Sequence, residues 1–373
     1  MQKFAKRLLK RRNIQNSFFV CDTNIINNSI QDWKRELPDI TPYYAVKSNN
    51  DLGVLKNLTD HKFKFDCASK KEMKQILLLD NDPEDIIYSH PCKDINHLKY
   101  AYKNNINFTV IDSIEEIDKI KKYHPKSNIL CRLHVDNNHS RVVLSNKFGC
   151  SESMFEDIVK YSLQKQMNLN GLSFHIGSYC MDPVAFSNAI CKSRIYWDIM
   201  LENNIKPNIL NIGGGFTNLN FNNTVKSIKS SINLHFKDYT DQIYIMAEPG
   251  RFFVEKAYHL FMRITSKRIL KKDQFEYTLN DGLYGALNNN IYDKFPIQIY
   301  HAFDYKGDDI INKKSYQSMF WGPSCDGLDC LTSEPINMVE LNVGDWVYVP
   351  NCGAYINRGA EFNGFEKSLV FTI

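Results

Sequence analysis

From residue 42 onward two hydrophobic patterns alternate along the chain. Short apolar or β-prone runs recur: YYAVK ending at Lys47, FKFDCAS with Asp66, DIIYSH ending at His90, NFTVID ending at Asp112, ILCRLHVD with Arg132, GLSFHIG with His175, NILNIGGGF running into Gly213 to Gly215, and IYIMAEPGR with Glu248 and Arg251. Between them, stretches such as KKEMKQILLL, SIEEIDKIKKY and SMFEDIVKYSLQKQ carry apolar residues three and four apart, the spacing of an amphipathic helix. Strands that alternate with helices pair in parallel through right-handed crossovers, and eight such units close into a (β/α)8 barrel of the TIM type.

After about residue 257 the pattern changes to shorter β-prone runs broken by turns, among them QFEYTLN, SMFWGPSC, DWVYVP and SLVFTI. These predict a second, mostly β domain, and the early run SFFVCD shares their character and joins it. The fold class is therefore α/β, with a barrel over residues 22–257 and a β domain made of residues 1–21 and 258–373. The opening MQKFAKRLLKRRNIQNSF is basic and holds no acid. It reads as a short amphipathic helix leading into a strand rather than as a transit peptide, which makes the expected location cytoplasmic.

Composition narrows the function classes. A chain of 373 residues with 43% hydrophobic and 24% charged residues is neither disordered nor fibrous. A net charge of +4, with lysines scattered among acids, argues against nucleic acid as the main ligand. No apolar run reaches bilayer length, so no membrane insertion is expected. The ten cysteines show neither even spacing nor a C-x-x-C pair, so most are expected as buried reduced thiols. No metal site is expected.

In a barrel of this kind the reacting groups stand at the carboxyl ends of the strands. Alone, a strand-end lysine is a solvated terminus, a glycine triplet is a tight turn, and a strand histidine is a satisfied core residue. Around one rim they make a site. The glycines of NIGGGF let backbone N–H groups approach an oxyanion, a following helix would add its positive end, and Arg251 supplies a fork suited to phosphate. A phosphate cup, a lysine and a glutamate are the parts that pyridoxal 5'-phosphate requires: Lys47 for the Schiff base, Glu248 for the pyridinium nitrogen, and His175 for the ring face.

The segments YYAVKSNN, FDCASKKE, SFHIGS, NIGGGF, AEPGRFFV, YGALNNNIYD, WGPSCDGLD, GDWVYVPNCGAY and FNGF follow one another from about residue 17 to the end. Together they resemble the eukaryotic and viral-type ornithine decarboxylases, the barrel-fold group of pyridoxal-phosphate decarboxylases acting on basic amino acids. The resemblance implies that Lys47 is the Schiff-base lysine and that His175 stacks on the cofactor. Ser178, Gly214, Gly215, Glu248, Pro249, Gly250, Arg251 and Tyr355 would hold phosphate and ring, with Asp66, Glu72 and Arg132 as support around Lys47 and Glu248. Cys325 becomes the proton donor once CO2 has left, and Asp326 a partner for the substrate's distal ammonium. Both would reach across the two-fold axis of a homodimer with shared active sites. From its local sequence alone, Cys325 reads as a buried core thiol.

Tyr292 and Asp293 match the stretch that reads the distal end of the substrate, and Phe362 lines the same end. A carboxylate there favours a small basic amino acid over a neutral one. The implied reaction converts L-ornithine to putrescine, an entry to polyamines; L-lysine and L-arginine are the alternatives, and Asp293 in place of a longer Glu ranks ornithine first. An inactive regulator resembling the antizyme inhibitors is the alternative of another class, and the presence of Lys47, His175, Glu248, Arg251, Cys325 and Asp326 opposes it. Two features depart from the family. Tyr179 stands where glycine is usual, and HLKYAYKNNINF diverges too far from the antizyme-binding surface to imply that partner.

Overall fold

The computed structural model describes residues 1–373 apart from 13, 137, 139, 240, 272, 294–295, 311–313 and 356–363. The chain separates into two compact units, one of residues 30–252 and one of residues 1–29 with 253–373.

In the first unit eight parallel strands close into a barrel: Ile40–Ala45, Lys64–Cys67, Ile86–Tyr88, Phe108–Ile111, Asn128–Arg132, Asn168–Ser173, Ile209–Asn211 and Tyr244–Ala247. The last returns to the first, with Ile245 beside Ile40 and Met246 beside Thr41. These are the strands read from the hydrophobic runs. Tyr43, Ile87, Val110, Leu130, Ile209 and Met246 pack as one buried cluster, so the barrel has a filled interior and its polar chemistry is left to the strand ends. Asp51, Ser69, Asp94 and Ser151 cap the helices after the first, second, third and fifth strands by accepting backbone N–H groups, which fixes where those loops stop. Gly171 lies where the register between the fifth and sixth strands slips, and a Cβ there would collide with the Ile209 carbonyl.

One feature of this unit is absent from the hydrophobic pattern. Ser140–Val142 and Ser178–Cys180, in the loops after the fifth and sixth strands, pair antiparallel as a two-stranded ribbon.

The other unit is an eight-stranded sheet. Across it run Tyr300–Phe303, Trp346–Val349, Tyr258–Lys271, Gln274–Leu279, Ser315–Trp321 and Ile336–Val339. The early strand Phe18–Cys21 lies between the long strand and the last one, antiparallel to Tyr258–Lys271 and parallel to Leu369–Thr372. As expected, the N-terminal run thus belongs to the β unit. The basic N-terminal segment forms the helix Gln2–Arg11, which buries Ala5 and Leu8 against Phe18, Val20, Phe261 and Trp346 while Lys6 and Lys10 pair with Asp309 and Asp308. The ten cysteines are free thiols; Cys21, Cys67, Cys131, Cys150 and Cys180 are buried, whereas Cys92, Cys191 and Cys325 are exposed. Among the described residues no helix is long and apolar enough to cross a membrane.

Phe18 is fully buried and meets the rings of Phe261, Trp346 and Phe371. Its truncation leaves a cavity where three elements meet. Phe18→Ala is predicted to lower the unfolding free energy by about 3–5 kcal/mol, measured by denaturant titration of the β unit's tryptophan signal.

Candidate active site

The first barrel strand ends at Ala45, and a single 3-10 turn, Val46–Ser48, carries Lys47 beyond it. Its side chain is 39% exposed, yet its Nζ is bonded to Oδ2 of the fully buried Asp66 near the end of the second strand. The other oxygen of Asp66 accepts the hydroxyl of Ser89, just past the third strand. Three strand ends therefore converge on one carboxylate. Glu72 has a local task as well: its carboxylate accepts the Ala68 N–H at 2.6 Å while the Ser69 hydroxyl accepts the Glu72 N–H at 3.3 Å. Ser69 is thus the N-cap of the next helix, and Glu72 ties down the residue before it. Burial pushes the Glu72 carboxyl up, the Ala68 N–H pulls it down, and the charge of Asp66 adds to the rise.

Across the seventh and eighth strands, Asn211 is the joint. It is fully buried, donates through Nδ2 to Glu248 Oε1 at 2.6 Å, and accepts the Gly213 N–H on Oδ1 at 2.9 Å. The Glu248 N–H in turn donates to the Gly213 carbonyl at 2.7 Å. Asn211 was not singled out from the sequence; its only signal is a polar residue interrupting the apolar run NILNI. Burial, reinforced by the charge of Asp66, pushes Glu248 up to about 7 against the opposing pull of Lys47, Asn211 and Arg132. Glu248 is also the strongest charge partner of Arg132, whose guanidinium sits 5.0 Å from the Phe148 ring centroid.

His175 Nδ1 accepts the Gly177 N–H at 3.0 Å, so the ring proton belongs on Nε2. Loss of solvation, and then the cations of Arg132 and Lys47, hold the imidazole well below its usual range, and it stays neutral. Gly214 lies close against this ring, since a Cβ there would stand 2.8 Å from Nε2 and 2.9 Å from the Glu248 carbonyl oxygen. Gly213 and Gly215 take φ values of 63° and 110°, which glycine adopts freely. The helix that follows begins only at Phe221, so the N–H groups offered by the glycine run are those of the loop and not of a helix end. Arg251 is buried, and Gly250 approaches Ser48 so closely that a Cβ would lie 2.7 Å from its Cβ. The Ser48 hydroxyl is buried and has no hydrogen-bond partner among the described residues.

The remaining predicted residues belong to the β unit. Asp293 is buried at the end of the short helix Asn290–Asp293 and accepts from Asn289 Nδ2 at 3.4 Å, while Tyr292 is 74% exposed. Cys325 is exposed, contrary to the local reading of a core thiol. Its loop is anchored instead by the buried Asp329, which accepts the N–H groups of Leu283 at 2.8 Å and Ser324 at 3.0 Å and leaves Cys325 outside. Asp326 accepts the Tyr284 hydroxyl and the Leu328 N–H, which hold its carboxyl below the usual range. Tyr355 takes a left-handed backbone, φ 58°, and Phe362 lies outside the described residues.

The barrel unit thus gathers a lysine amine, buried carboxylates, a neutral imidazole, a glycine-lined turn, a buried guanidinium and an unsatisfied hydroxyl. These suit a phosphate-bearing carbonyl cofactor. Among the described residues no group of three or more His, Cys, Asp or Glu is placed to hold a metal ion.

Known proteins agree with this class. Residues 23–255 match the pyridoxal-dependent decarboxylase, pyridoxal binding domain family. The chain is 37% identical to the ornithine decarboxylase of Schizosaccharomyces pombe, over 95% of this chain and 82% of that protein. It is 36% identical to that of Saccharomyces cerevisiae, over 95% and 80%. The solved arginine decarboxylase of Paramecium bursaria Chlorella virus matches with a TM-score of 0.94 at 33% identity, all of both chains being covered. The lysine decarboxylase of Selenomonas ruminantium matches with a TM-score of 0.90 at 29% identity, over 100% of this chain and 96% of that one. The chain belongs to the pyridoxal-dependent decarboxylase family. It is accordingly a carbon–carbon lyase whose cofactor is pyridoxal 5'-phosphate.

The raised Glu248 carboxyl has a stability consequence. Between its ordinary value of 4.5 and about 7 the cofactor-free fold retains a proton that the unfolded chain has released, so stability falls as pH rises through that window and levels off above it. Glu248→Gln is predicted to remove this slope. Denaturant unfolding of the cofactor-free protein at the two ends of the window should show the wild type losing roughly 3 kcal/mol relative to the variant.

Proposed function

We propose that this decarboxylase acts on L-ornithine, forming putrescine, and works as a homodimer with shared active sites. The observation that carries the reading is the charge set at the strand ends, Lys47 on Asp66 and Glu248 on Asn211, together with a buried aspartate at 293. Identity to two yeast ornithine decarboxylases over nearly the whole chain supports it.

Bound cofactor supplies a sink for the electron pair released when the α-carboxylate leaves. In this reading Lys47 holds it through Nζ, and Asp66 keeps that amine oriented. Glu248, poised near neutrality and fixed by Asn211, would hold a proton toward the ring nitrogen. The neutral His175 ring would cover one face without setting a positive charge beside it. Ser178, the glycine turn and Pro249 to Arg251 would take the phosphate end.

Cys325 returns a proton from Sγ to the substrate's α-carbon. Its exposure, and that of Asp326, is what a residue serving a second copy of the chain requires. Asp326, kept ionised by Tyr284 and the Leu328 N–H, and Asp293 recognise the distal ammonium, a positive charge that a neutral amino acid lacks. Tyr292 shapes the same end. The short Asp293 side chain leaves the substrate-length choice to one or two methylenes, worth about 1–3 kcal/mol.

A second reading, the same chemistry on L-arginine, draws on the match to the viral arginine decarboxylase. The test is CO2 release by the purified holoenzyme from L-ornithine, L-lysine and L-arginine at equal subsaturating concentration. Ornithine is predicted to lead by about tenfold or more. A lead for arginine or lysine overturns the substrate assignment and leaves the family intact; silence on all three favours a regulator, a role suggested by the 33% identity to an antizyme inhibitor of Xenopus laevis.

A further inference from the structure

Tyr179, the residue that replaces the usual glycine, keeps a glycine-like backbone with φ 59°. A tyrosine held in that conformation needs compensation from its surroundings. Its ring supplies it. The Arg141 guanidinium lies 3.8 Å from the ring centroid and that of Arg251 lies 5.4 Å from it, both within cation–π range. Arg141 and Tyr179 are the middle residues of the two ribbon strands, whose flanking pairs are Ser140 with Cys180 and Val142 with Ser178, so the two side chains face each other directly.

The ribbon cannot drift from the glycine turn. The Cys180 N–H donates to the Gly215 carbonyl at 3.3 Å, the Ser140 hydroxyl donates to the Ile176 carbonyl, and a Cβ at Gly177 would stand 2.5 Å from that of Ser140. Asn220 Nδ2 adds a bond to the Met181 carbonyl at 3.0 Å. Two guanidinium groups gathered on one ring repel each other. The electron-rich face reduces that cost, and a dianion seated in the adjoining turn would reverse it.

We propose that Arg141 and Tyr179 form a cofactor-retaining clamp: Tyr179 orients the Arg251 guanidinium toward the phosphate, and the exposed Arg141 adds positive potential at the same end. The clamp rests on the reading that the Gly213 to Gly215 turn and Arg251 hold the phosphate. Both are positioning residues, acting through Arg251 and through the field at the phosphate and not on the reacting atoms. The clamp therefore concerns affinity for the phosphate ester and not for the ring.

The test measures dissociation constants of pyridoxal 5'-phosphate and of pyridoxal, which lacks the phosphate, by following cofactor absorbance as holoenzyme is diluted and re-titrated. Tyr179→Gly and Arg141→Ala are each expected to weaken pyridoxal 5'-phosphate about tenfold, with Tyr179→Phe within about twofold of wild type and pyridoxal unaffected in all three. Tyr179→Gly relieves the backbone and Arg141 is exposed, so both variants keep the fold. If both bind pyridoxal 5'-phosphate as wild type does while Arg251→Ala weakens it, the clamp is wrong and the phosphate reading stands. If Arg251→Ala also has no effect, the phosphate reading itself fails. Equal weakening of both ligands would show a structural role and overturn the proposal.

Discussion

Asp66 sets the charge balance around which the barrel's strand ends are arranged. Its buried carboxylate takes the Lys47 amine on one oxygen and the Ser89 hydroxyl on the other, fastening the ends of three adjacent strands to one anion. Removing a buried charge from water is affordable only with a partner, and Lys47 is that partner. Burial raises Glu248 and Glu72 toward their neutral forms, and the same negative charge adds to that rise. The amine is thus held in place by one buried aspartate, whose charge also reinforces the burial that poises the Glu248 carboxyl near 7.

A second constraint is steric. Gly214 lies against His175 and the Glu248 carbonyl, Gly215 against the Gly177 carbonyl, and Gly250 against Ser48, with no room for a Cβ at any of the three. Asn211 couples this backbone to the charge network, since one amide holds both the Glu248 carboxylate and the Gly213 N–H. Carboxylate and glycine turn are positioned as a unit because their two strands are paired neighbours.

The barrel was legible because its strands are buried on both faces and read as continuous apolar runs, each closing on a polar or glycine residue. The β unit was legible for a different reason: the turn-rich runs after residue 257 share the character of Phe18–Cys21, which pairs among them. Contacts set by distant residues were not legible. Cys325 looks like a core thiol until Asp329 is seen to anchor its loop. Arg141 and Tyr179 meet only because two separate loops form a ribbon. Lys93 shows the limit most clearly, for it also follows a strand, in SHPCK. The structure seals it: Nζ donates to the carbonyls of His90, Pro91 and Val110 and pairs with Glu116 at 3.4 Å, and burial pushes it down to about 8. A lowered pKa alone would nominate Lys93 as the reactive lysine, whereas accessibility and the strand-end position select Lys47.

The most direct measurement is therefore reductive trapping of the cofactor carbonyl on the holoenzyme with borohydride, followed by peptide mapping of the modified lysine. The account predicts the pyridoxyl group on Lys47 alone. A label on Lys93, or on any lysine away from Asp66, would contradict it.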